Sequence, residues 1–418
     1  MRHSKLFTKT RHEIPADEVA KNAQLLLQAG YIYKNMAGVY TFLPLGLLVI
    51  EKIKQIIREE MNAIGGQEMY MPSLQDSKIW ESTDRWSSEK VDVWFKTKLQ
   101  AGGEIGLAWT HEEVVTEIMR QYISSYKDLP LSAYHIQTKF RNEVRAKSGI
   151  MRTREFWMKD LYSFSRTEEE HETFYELCAD AYMKIFNRVG IGKKTYRTFA
   201  SGGAFSKFSH EFQTLAESGE DVVYVNTEKG IAVNEEVLAQ TDLADFGVTE
   251  SELVKHKSIE VGNIFSLGTK FSEALGLSFK DEFGKEKPVI MGSYGIGPAR
   301  LMGTIVDLLS DDKGIVWPES VAPYRVHLVA LNTDDSEIRD WAEGIYSALQ
   351  SRDVSVLFDD RDARAGEKFT DSDLLGLPYR VVVSKKGKQK GTFEVVSRST
   401  GKVLELTEDE LYGHFTYT

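Results

Sequence analysis

Between residues 50 and 64 the apolar positions Ile50, Ile53, Ile57, Met61 and Ile64 recur at steps of three and four, which predicts an amphipathic helix ended by Gly65 and Gly66. The stripe suits either a core-facing helix or a dimer-interface helix led in by Pro44 and Gly46, and periodicity alone does not separate the two. Further on the period shortens. "LSAYHIQTKFRNEV" (131–144) and "RTREFWMKDLYSF" (152–164) carry aromatic and branched residues in partial alternation, predicting two antiparallel strands joined by the cationic loop "RAKSGIM". "EKGIAVNEEVLAQTDLADFGVTESELVKHK" (228–257) is acidic and interrupted, and reads as a surface insertion rather than a core element. "KPVIMGSYGIGPARLMGTIVDLL" reads as a strand, a glycine-rich turn and a helix. Past the proline-marked linker "WPESVAPY", the strands "RVHLVAL", "VSVLFDD", "YRVVVSK" and "FEVVSRS" interleave with a polar helix over 337–349 and a short helix near 372–375. That alternation predicts a separate α/β domain. "SKKGKQKG" (384–391) is expected at a basic hairpin tip.

At 418 residues the chain is too long for one ordinary core, so two domains are expected, divided here as 1–320 and 321–418. Its 52 Lys and Arg against 63 Asp and Glu give a formal charge of -11, which argues against coating a nucleic acid through net charge. Any polyanion must therefore meet a local basic patch. The single cysteine, Cys178, excludes an internal disulfide and a CxxC zinc site, and its ordinary reading is a small apolar helix residue. The longest apolar run, "FLPLGLLVI" (42–50), is too short for a membrane span, and "MRHSKLFTKTRHEIP" lacks the apolar core of a secretory signal. The expectation is a soluble, cytoplasmic protein with no membrane partner.

A basic patch of the required kind exists. Residues 140–160 hold Arg141, Arg145, Lys147, Arg152, Arg154 and Lys159. As a hairpin, this window places Arg141 and Glu143 on one strand face, Phe156 on the return strand, and Arg152 over them. Guanidinium groups fork onto phosphate oxygens, a planar ring lies under a flat heterocycle, and Glu143 can accept an amino hydrogen bond, so the set suits a nucleoside triphosphate. For an isolated "FRxE" a solvated ribbon with cross-strand Arg–Glu pairs is the plainer reading. The number of cations shifts the balance, since they repel one another with no anion to hold. In "GSYGIGPAR", Gly292, Gly295 and Gly297 permit close backbone approach ahead of a helix start. Arg300 stands where a dinucleotide fingerprint has glycine, so it reads as an arginine facing phosphate, or the stretch is simply a structural turn. In "WTHEEV", Thr110 and Glu113 fit a capping box, leaving Glu112 for a cationic ligand amine and His111 on the helix surface. His210 in "FSHEF" makes either a substrate contact or a structural hydrogen bond.

Taken in order, these stretches resemble the motifs of class II aminoacyl-tRNA synthetases, most closely the bacterial-type prolyl-tRNA synthetase family. "GVYTFLPLG" with the following helix is similar to motif 1, "TKFRNEVRAKSGIMRTREFWMKDLYSF" to motif 2, and "MGSYGIGPAR" to motif 3. "THEE", "SHEF", "EVGNIFSLGTKFSEALG" and "DDRDARAGEKFTDSDLLGLP" also resemble that family in the right order, so the likeness covers nearly the whole chain. It implies an α+β fold: a class II catalytic domain with an antiparallel sheet flanked by helices, then an α/β anticodon-binding domain, in a homodimer. It further implies ligation of L-proline to proline tRNA through a prolyl-adenylate, with ATP and Mg²⁺ as the substrate complex and neither zinc nor a protein-held metal. By resemblance Arg141 holds the α-phosphate and the proline carboxylate, Arg152 and Arg300 the outer phosphates, and Glu143 and Phe156 the adenine, with Arg141 and Arg300 catalytic. Thr110 and Glu112 would receive the proline nitrogen, Asp160, His210 and Ser293 complete that pocket, and Asp360, Arg364 and Lys368 read the anticodon.

The departures carry expectations too. The large insertion in which many bacterial members hydrolyse alanyl-tRNA would fall near 228–257, where there is no room for it. Editing in cis is therefore expected to be absent and a separate trans-editing hydrolase to be a partner. "GGAFSKF" has Phe205, Ser206 and Lys207 where small residues are expected, Ala146 replaces a usual proline, and Ser293 a common cysteine. Two rivals are a synthetase-like accessory protein without chemistry and an ATP-dependent ligase acting on another amine. The presence of Arg141, Arg152 and Arg300 speaks against the first, and the C-terminal domain against the second.

Overall fold

The two alternating stretches at 131–144 and 152–164 become neighbouring strands toward one edge of a nine-stranded sheet. The computed structural model describes residues 1–11, 13, 18–144, 146, 148–201, 208–241 and 243–416. Arg145, Lys147, Phe205, Ser206 and Lys207, all singled out above, lie outside the described residues. Compactness groups residues 36–39 and 53–304 into a larger unit and residues 1–35, 40–52 and 305–418 into a smaller one, a division that is not a single cut along the chain.

Among the described residues the larger unit has a nine-stranded sheet: β1 (Gln67–Glu68), β2 (Leu131–Phe140), β3 (Glu155–Ser165), β4 (Thr195–Ser201), β5 (Phe208–Leu215), β6 (Asp221–Asn226), β7 (Ile231–Asn234), β8 (Val254–Gly268) and β9 (Ile290–Ile296). The order is β5-β4-β7-β6-β8-β9-β3-β2-β1, and β5 also pairs with β8, closing five strands into a ring. All pairings are antiparallel except β4 with β7 and β1 with β2. β9 lies between β3 and β8 and is buried at every position, so it takes small or apolar residues throughout.

Two helices matter for the site. The predicted amphipathic helix is α1 (Pro44–Ala63), opened by the fixed backbone angle of Pro44 and followed by Gly65 at φ +84°. Ile50, Ile53, Ile57 and Met61 are buried, so the stripe faces the core, while Leu47 and Leu48 are exposed. The helix at 168–188 packs Tyr175, Cys178, Tyr182 and Phe186 inward, and its cap is Thr167, whose side chain accepts from Glu170 N. Cys178 is thus the small buried helix residue that its isolation suggested. Lys159 reaches that helix from the sheet, donating to Tyr182 Oη at 2.6 Å and to Tyr294 O at 3.0 Å.

Three expectations change. β2 ends at Phe140, so Arg141 and Glu143 do not share a strand face; the chain turns there, with Arg141 N donating to Arg154 O and Glu143 N to Arg141 O. Region 228–257 is not merely a surface insertion, because β7 joins the sheet with Ala232 and Val233 buried. A four-residue strand is averaged away in a thirty-residue acidic window. Gly292 and Gly295 belong to β9 rather than to a turn; the turn is confined to Gly297 ahead of the helix 298–309.

The smaller unit contains β10 (Val326–Ala330), β11 (Val356–Asp359), β12 (Tyr379–Val383), β13 (Phe393–Ser397) and β14 (Val403–Leu406) in the order β11-β10-β12-β13-β14. The first three are parallel and the last two antiparallel. Its core is apolar, from Val326, Leu328, Val356, Phe358 and Val381 to helix residues Ile345 and Leu349. The basic stretch at 384–391 is a helix, Lys385–Lys390, not a hairpin tip. Ser384 accepts from Gly387 N at its start, Gly391 ends it at φ +71°, and Lys388 and Lys390 pair with Glu337 and Glu405. Among the described residues no helix is long and apolar enough to cross a membrane.

One test of this packing is Gly46→Ala. Alanine is intrinsically better in a helix by about 1 kcal/mol. Its Cβ, however, would lie 2.1 Å from Tyr31 O, and Tyr31 is held by Leu375 O and Trp317 Nε1. Overpacking of that kind costs about 1–3 kcal/mol. The expected outcome is a lower thermal midpoint; a midpoint at or above the parent's would refute it.

Candidate active site

The cleft of the larger unit is floored where β9 runs between β3 and β8. Gly295 sits opposite Asp160 and Asn263, and a Cβ on it would lie 2.7 Å from Met158 Cε and 2.8 Å from Asn263 Oδ1. Glycine there keeps the floor open. Above it is an open cleft lined by Arg141, Glu143, Arg152, Phe156, Glu260 and Arg300 among others. The nucleotide residues expected from the sequence are therefore brought together.

Their pairing is uneven. Arg152 Nε donates to Glu143 at 3.1 Å and its Nη1 to Glu220 at 3.3 Å. Arg300 Nη1 donates to Glu260 Oε2 at 2.8 Å, and its Nε to Met151 O at 3.2 Å. Arg141 forms no ion pair among the described residues; its guanidinium lies 5.3 Å from the Phe156 ring centre and makes long contacts of 3.4 and 3.5 Å to Trp109 O. Burial pulls its pKa down, the Asp160 charge opposes that, and the neighbouring Arg300 charge adds to it. A cation so placed calls for an anion.

At the other end of the cleft Thr110 Oγ1 donates to Glu112 Oε2 at 2.7 Å and Ser293 Oγ to Glu112 Oε1 at 3.3 Å. The expected capping box is absent: the helix α2 (Glu112–Met119) starts after His111 with no side-chain cap, and Glu113 is turned inward to Thr83 and Arg85. His111 is not on the surface either, because it is buried against the Lys139 ammonium. That ammonium lies 2.5 Å from Asp160 Oδ2 and 3.0 Å from His135 Nε2. Burial alone would raise the Asp160 pKa, but the Lys139 charge and the His135 hydrogen bond hold it far below the usual carboxylate range. Burial and the same lysine lower His135 to about 4. His111, His135 and Asp160 each offer a ligand atom, as do His3, His327 and Asp359. In both sets a protein cation, Lys139 or Arg361, already occupies the aspartate.

His210 is not part of this group. Its Nδ1 is 2.8 Å from Tyr175 Oη, and Tyr175 stacks near Tyr294, whose neighbour Ser293 faces the opposite side of β9 toward Glu112. Strand alternation sends the next residue, Glu211, to the other face of β5, toward Glu260, where Asn234 and Gln213 donate to it at 2.7 and 2.8 Å. Burial, then Glu260, push the Glu211 carboxyl up to about 8. Glu211, Asp221 and Glu260 were missed by the sequence reading. For Glu211 and Glu260 the signal was present, since they sit in "SHEF" and at the start of "EVGNIFSLGTKFSEALG", whereas Asp221 lies in no stretch matched to the family.

In the smaller unit the three anticodon candidates separate. Lys368 is buried, its Nζ donating to Ala330 O at 2.7 Å and to Asp359 O at 3.3 Å, so it does not face solvent. Asp360 accepts from Ser4 N and Oγ. Arg364, at the start of the helix 365–375, is exposed.

Comparison with known proteins agrees with this arrangement. The family models for the tRNA synthetase class II core domain (G, H, P, S and T) and for the anticodon binding domain match residues 95–308 and 325–416. A proline–tRNA ligase of Rhizorhabdus wittichii is 38% identical over 432 residues, spanning 98% of this chain and 98% of the relative. One from Wolbachia pipientis wMel is 38% identical over 432 residues, spanning 100% of each. One from Bacillus mycoides is 33% identical over 561 residues, spanning 98% of each, so its alignment is far longer than the 418 residues here. In fold the chain is similar to the crystal structure of prolyl-tRNA synthetase from Cryptosporidium parvum complexed with L-proline and AMP, with a TM-score of 0.75 at 18% identity, covering 94% of this chain and 73% of that one.

The Glu211 carboxyl gives a test in the folded protein. Folded, it loses its proton near pH 8; unfolded, near 4.5, so the wild type loses stability as pH rises between those values. Glu211→Gln keeps an acceptor for Asn234 and Gln213 without the charge. The variant's thermal midpoint, relative to wild type, should therefore rise from about pH 6 to about pH 8.5. An equal offset at both pH values would refute the assignment.

Proposed function

The chain belongs to the class II aminoacyl-tRNA synthetases, among the proline–tRNA ligases, and from that premise we infer that it joins proline to its tRNA through a prolyl-adenylate made in this cleft. The single observation that carries the residue assignment is Arg141, a partly buried guanidinium with no ion pair among the described residues, set between Phe156 and the Glu112 pocket.

The proline carboxylate is ionised at neutral pH, so no general base is required for its oxygen to attack the α-phosphorus of ATP as the bond to pyrophosphate breaks. The task is charge stabilisation. Arg141 holds the α-phosphate and the attacking carboxylate, and Arg152 and Arg300 take the outer phosphates by releasing Glu143, Glu220 and Glu260. Glu143 and Phe156 hold the adenine. ATP enters as its magnesium complex. Glu211, Asp221 and Glu260 fit that cation, since burial and their mutual repulsion raise the Glu211 and Asp221 carboxyls and a divalent cation among them would relieve both. Thr110 and Glu112 receive the proline nitrogen beside Ser293, and Asp160 faces the same pocket. In the second step the terminal ribose hydroxyl of tRNA attacks the prolyl carbonyl and AMP leaves.

Residues 1–320 carry the chemistry and residues 321–418 bind the anticodon, with Arg364 its exposed cation. The working form is a cytoplasmic homodimer, supported by exposed Leu47 and Leu48 at the head of α1, and sedimentation as a monomer at micromolar concentration would overturn it. The long alignment with the Bacillus mycoides relative supports absence of a cis-editing insertion. Discrimination by size is weak, since removing a methylene from a ligand is worth only about 1–3 kcal/mol.

Three outcomes are expected. Arg141→Ala lowers proline-dependent pyrophosphate exchange by about 10²- to 10³-fold without changing the thermal midpoint by more than a few degrees; exchange within about threefold of wild type contradicts the role. Arg364→Ala raises the KM for proline tRNA and spares exchange, and an unchanged KM removes it from the anticodon contacts. Purified enzyme given alanine and proline tRNA accumulates alanyl-tRNA until a separate deacylase is added; rapid deacylation by the enzyme alone would show that editing is present.

A further inference from the structure

Arg85 received no role in the sequence reading, yet it is a buried cation touching the substrate pocket. It is 4% exposed, against 1% for Glu112 and 0% for Glu113. Its Nη1 donates to Glu113 Oε1 at 3.1 Å, to Glu113 Oε2 at 3.2 Å and to Glu112 Oε2 at 3.4 Å. The guanidinium carbon lies 4.5 Å from the Trp109 ring centre, 5.1 Å from Phe271 and 5.3 Å from Trp80. Trp94 Nε1 fixes the backbone by donating to Arg85 O at 2.9 Å. Aromatic walls on several sides exclude water, which strengthens each charge interaction inside them.

The two carboxylates are not equivalent. Glu113 is gripped through both oxygens and also takes the Thr83 hydroxyl at 2.7 Å. It belongs to the wall. In Glu112, Oε2 is fastened by Thr110 and Arg85, while among the described residues Oε1 meets only the 3.3 Å contact of Ser293. Because the Thr110 hydroxyl spends its proton on Glu112, its oxygen faces the pocket as an acceptor. The pocket thus offers two acceptors to a nitrogen bearing two hydrogens. Burial pushes the Glu113 carboxyl up to about 7 against the pull of Arg85, and Lys270 and Lys139 add positive charge near Glu112, so it is the less engaged Glu112 Oε1, not a missing charge, that a protonated secondary amine would meet.

We propose that Arg85 is a positioning residue for amino-acid selection: by fastening Glu112 Oε2 within the aromatic box it aims Oε1 at the substrate nitrogen, and makes the pocket accept a protonated cyclic amine and reject ring analogues without N–H. The proposal rests on Glu112 being the receptor of the proline nitrogen. Sites built to hydrogen-bond a substrate N–H reject analogues lacking it far more strongly than size alone allows.

The test is proline-dependent pyrophosphate exchange by the full chain at saturating ATP, with tetrahydrofuran-2-carboxylate as a competing analogue. Arg85→Gln should raise the proline KM by more than about tenfold, change kcat by less than about threefold, and narrow the preference for proline over the analogue by a similar factor. A double variant, Arg85→Gln with Glu113→Gln, keeps the shapes and removes the need to neutralise Glu113, and its KM should stay high. Wild-type KM in the folded single variant, or its restoration in the double one, would overturn the proposal, the latter by making Arg85 a partner of Glu113 only. Should Arg85→Gln fail to fold, Arg85→Lys decides: it keeps the charge but not the reach across both glutamates, so an unchanged KM overturns the proposal and a KM raised about fivefold or more supports it. Glu112→Gln separates the premise from the inference. If that variant keeps the wild-type KM, the reading of Glu112 falls and the proposal with it; if it loses proline use while both Arg85 variants keep theirs, only the role of Arg85 falls.

Discussion

Arg141 stands partly out of water beside Arg300 with no carboxylate paired to it among the described residues, and much of the larger unit is arranged to hold it there. A guanidinium in such a place would fold away against an acid if the backbone let it. It cannot, because β2 ends at Phe140 and the chain turns through Arg141, whose own N–H is tied to Arg154 O. On the far side of the cleft the imbalance is reversed: Arg300 pairs with Glu260 and acts on Asp221, and these two acids crowd Glu211. Under the proposed function, a nucleotide bound with a divalent cation would satisfy both sides at once. Without it the fold bears the strain, which is the usual relation between activity and stability at a preorganised site.

Strand register is what keeps these charges apart. Lys159 and Asp160 are adjacent, and the two-residue period sends the lysine to Tyr182 beneath the sheet and the aspartate to Lys139 above it. Tyr294 and Ser293 divide in the same way on β9, as do His210 and Glu211 on β5. A slip of one residue between β3 and β9 would exchange a buried ammonium for a buried carboxylate on each face. Neither would find a partner, so the register is specified by electrostatics as well as by apolar packing.

Much of this was legible in the sequence, and the failures have physical causes. Periodicity located α1, β2, β3 and the alternation of the C-terminal domain, because each is long enough for burial to repeat several times. It could not see β7, whose four residues vanish among acidic neighbours, nor the helix at 385–390, where six mostly basic residues carry no apolar period at all. Arg141, Arg152, Arg300, Glu143 and Phe156 were found because cations concentrated in an acidic chain are conspicuous, and they do line one cleft. The capping box failed because "THEE" satisfies a local rule that tertiary contacts override: Thr110 caps a carboxylate, not a backbone N–H. His210 drew attention over Glu211 because histidine is the more distinctive residue, although strand parity alone decides which of the two turns toward Glu260.

The distinction that sequence cannot supply is whether a buried charge is already balanced by the protein. Lys139 with Asp160, and separately Arg361 and Lys368 with Asp359 and Asp371, are closed sets whose partners lie within 4 Å, and they read as structure. Arg141 and the acids around Arg300 are open sets in which the count of charges does not close. Residue type is the same in both classes; only the neighbours differ. Leaving a charge uncompensated in a low-dielectric setting is costly, so such a set persists in a folded enzyme where something outside the chain completes it. On that criterion Lys368, held by Ala330 O and the Asp359 backbone and carboxylate, belongs to the structure and leaves the list of candidate RNA contacts.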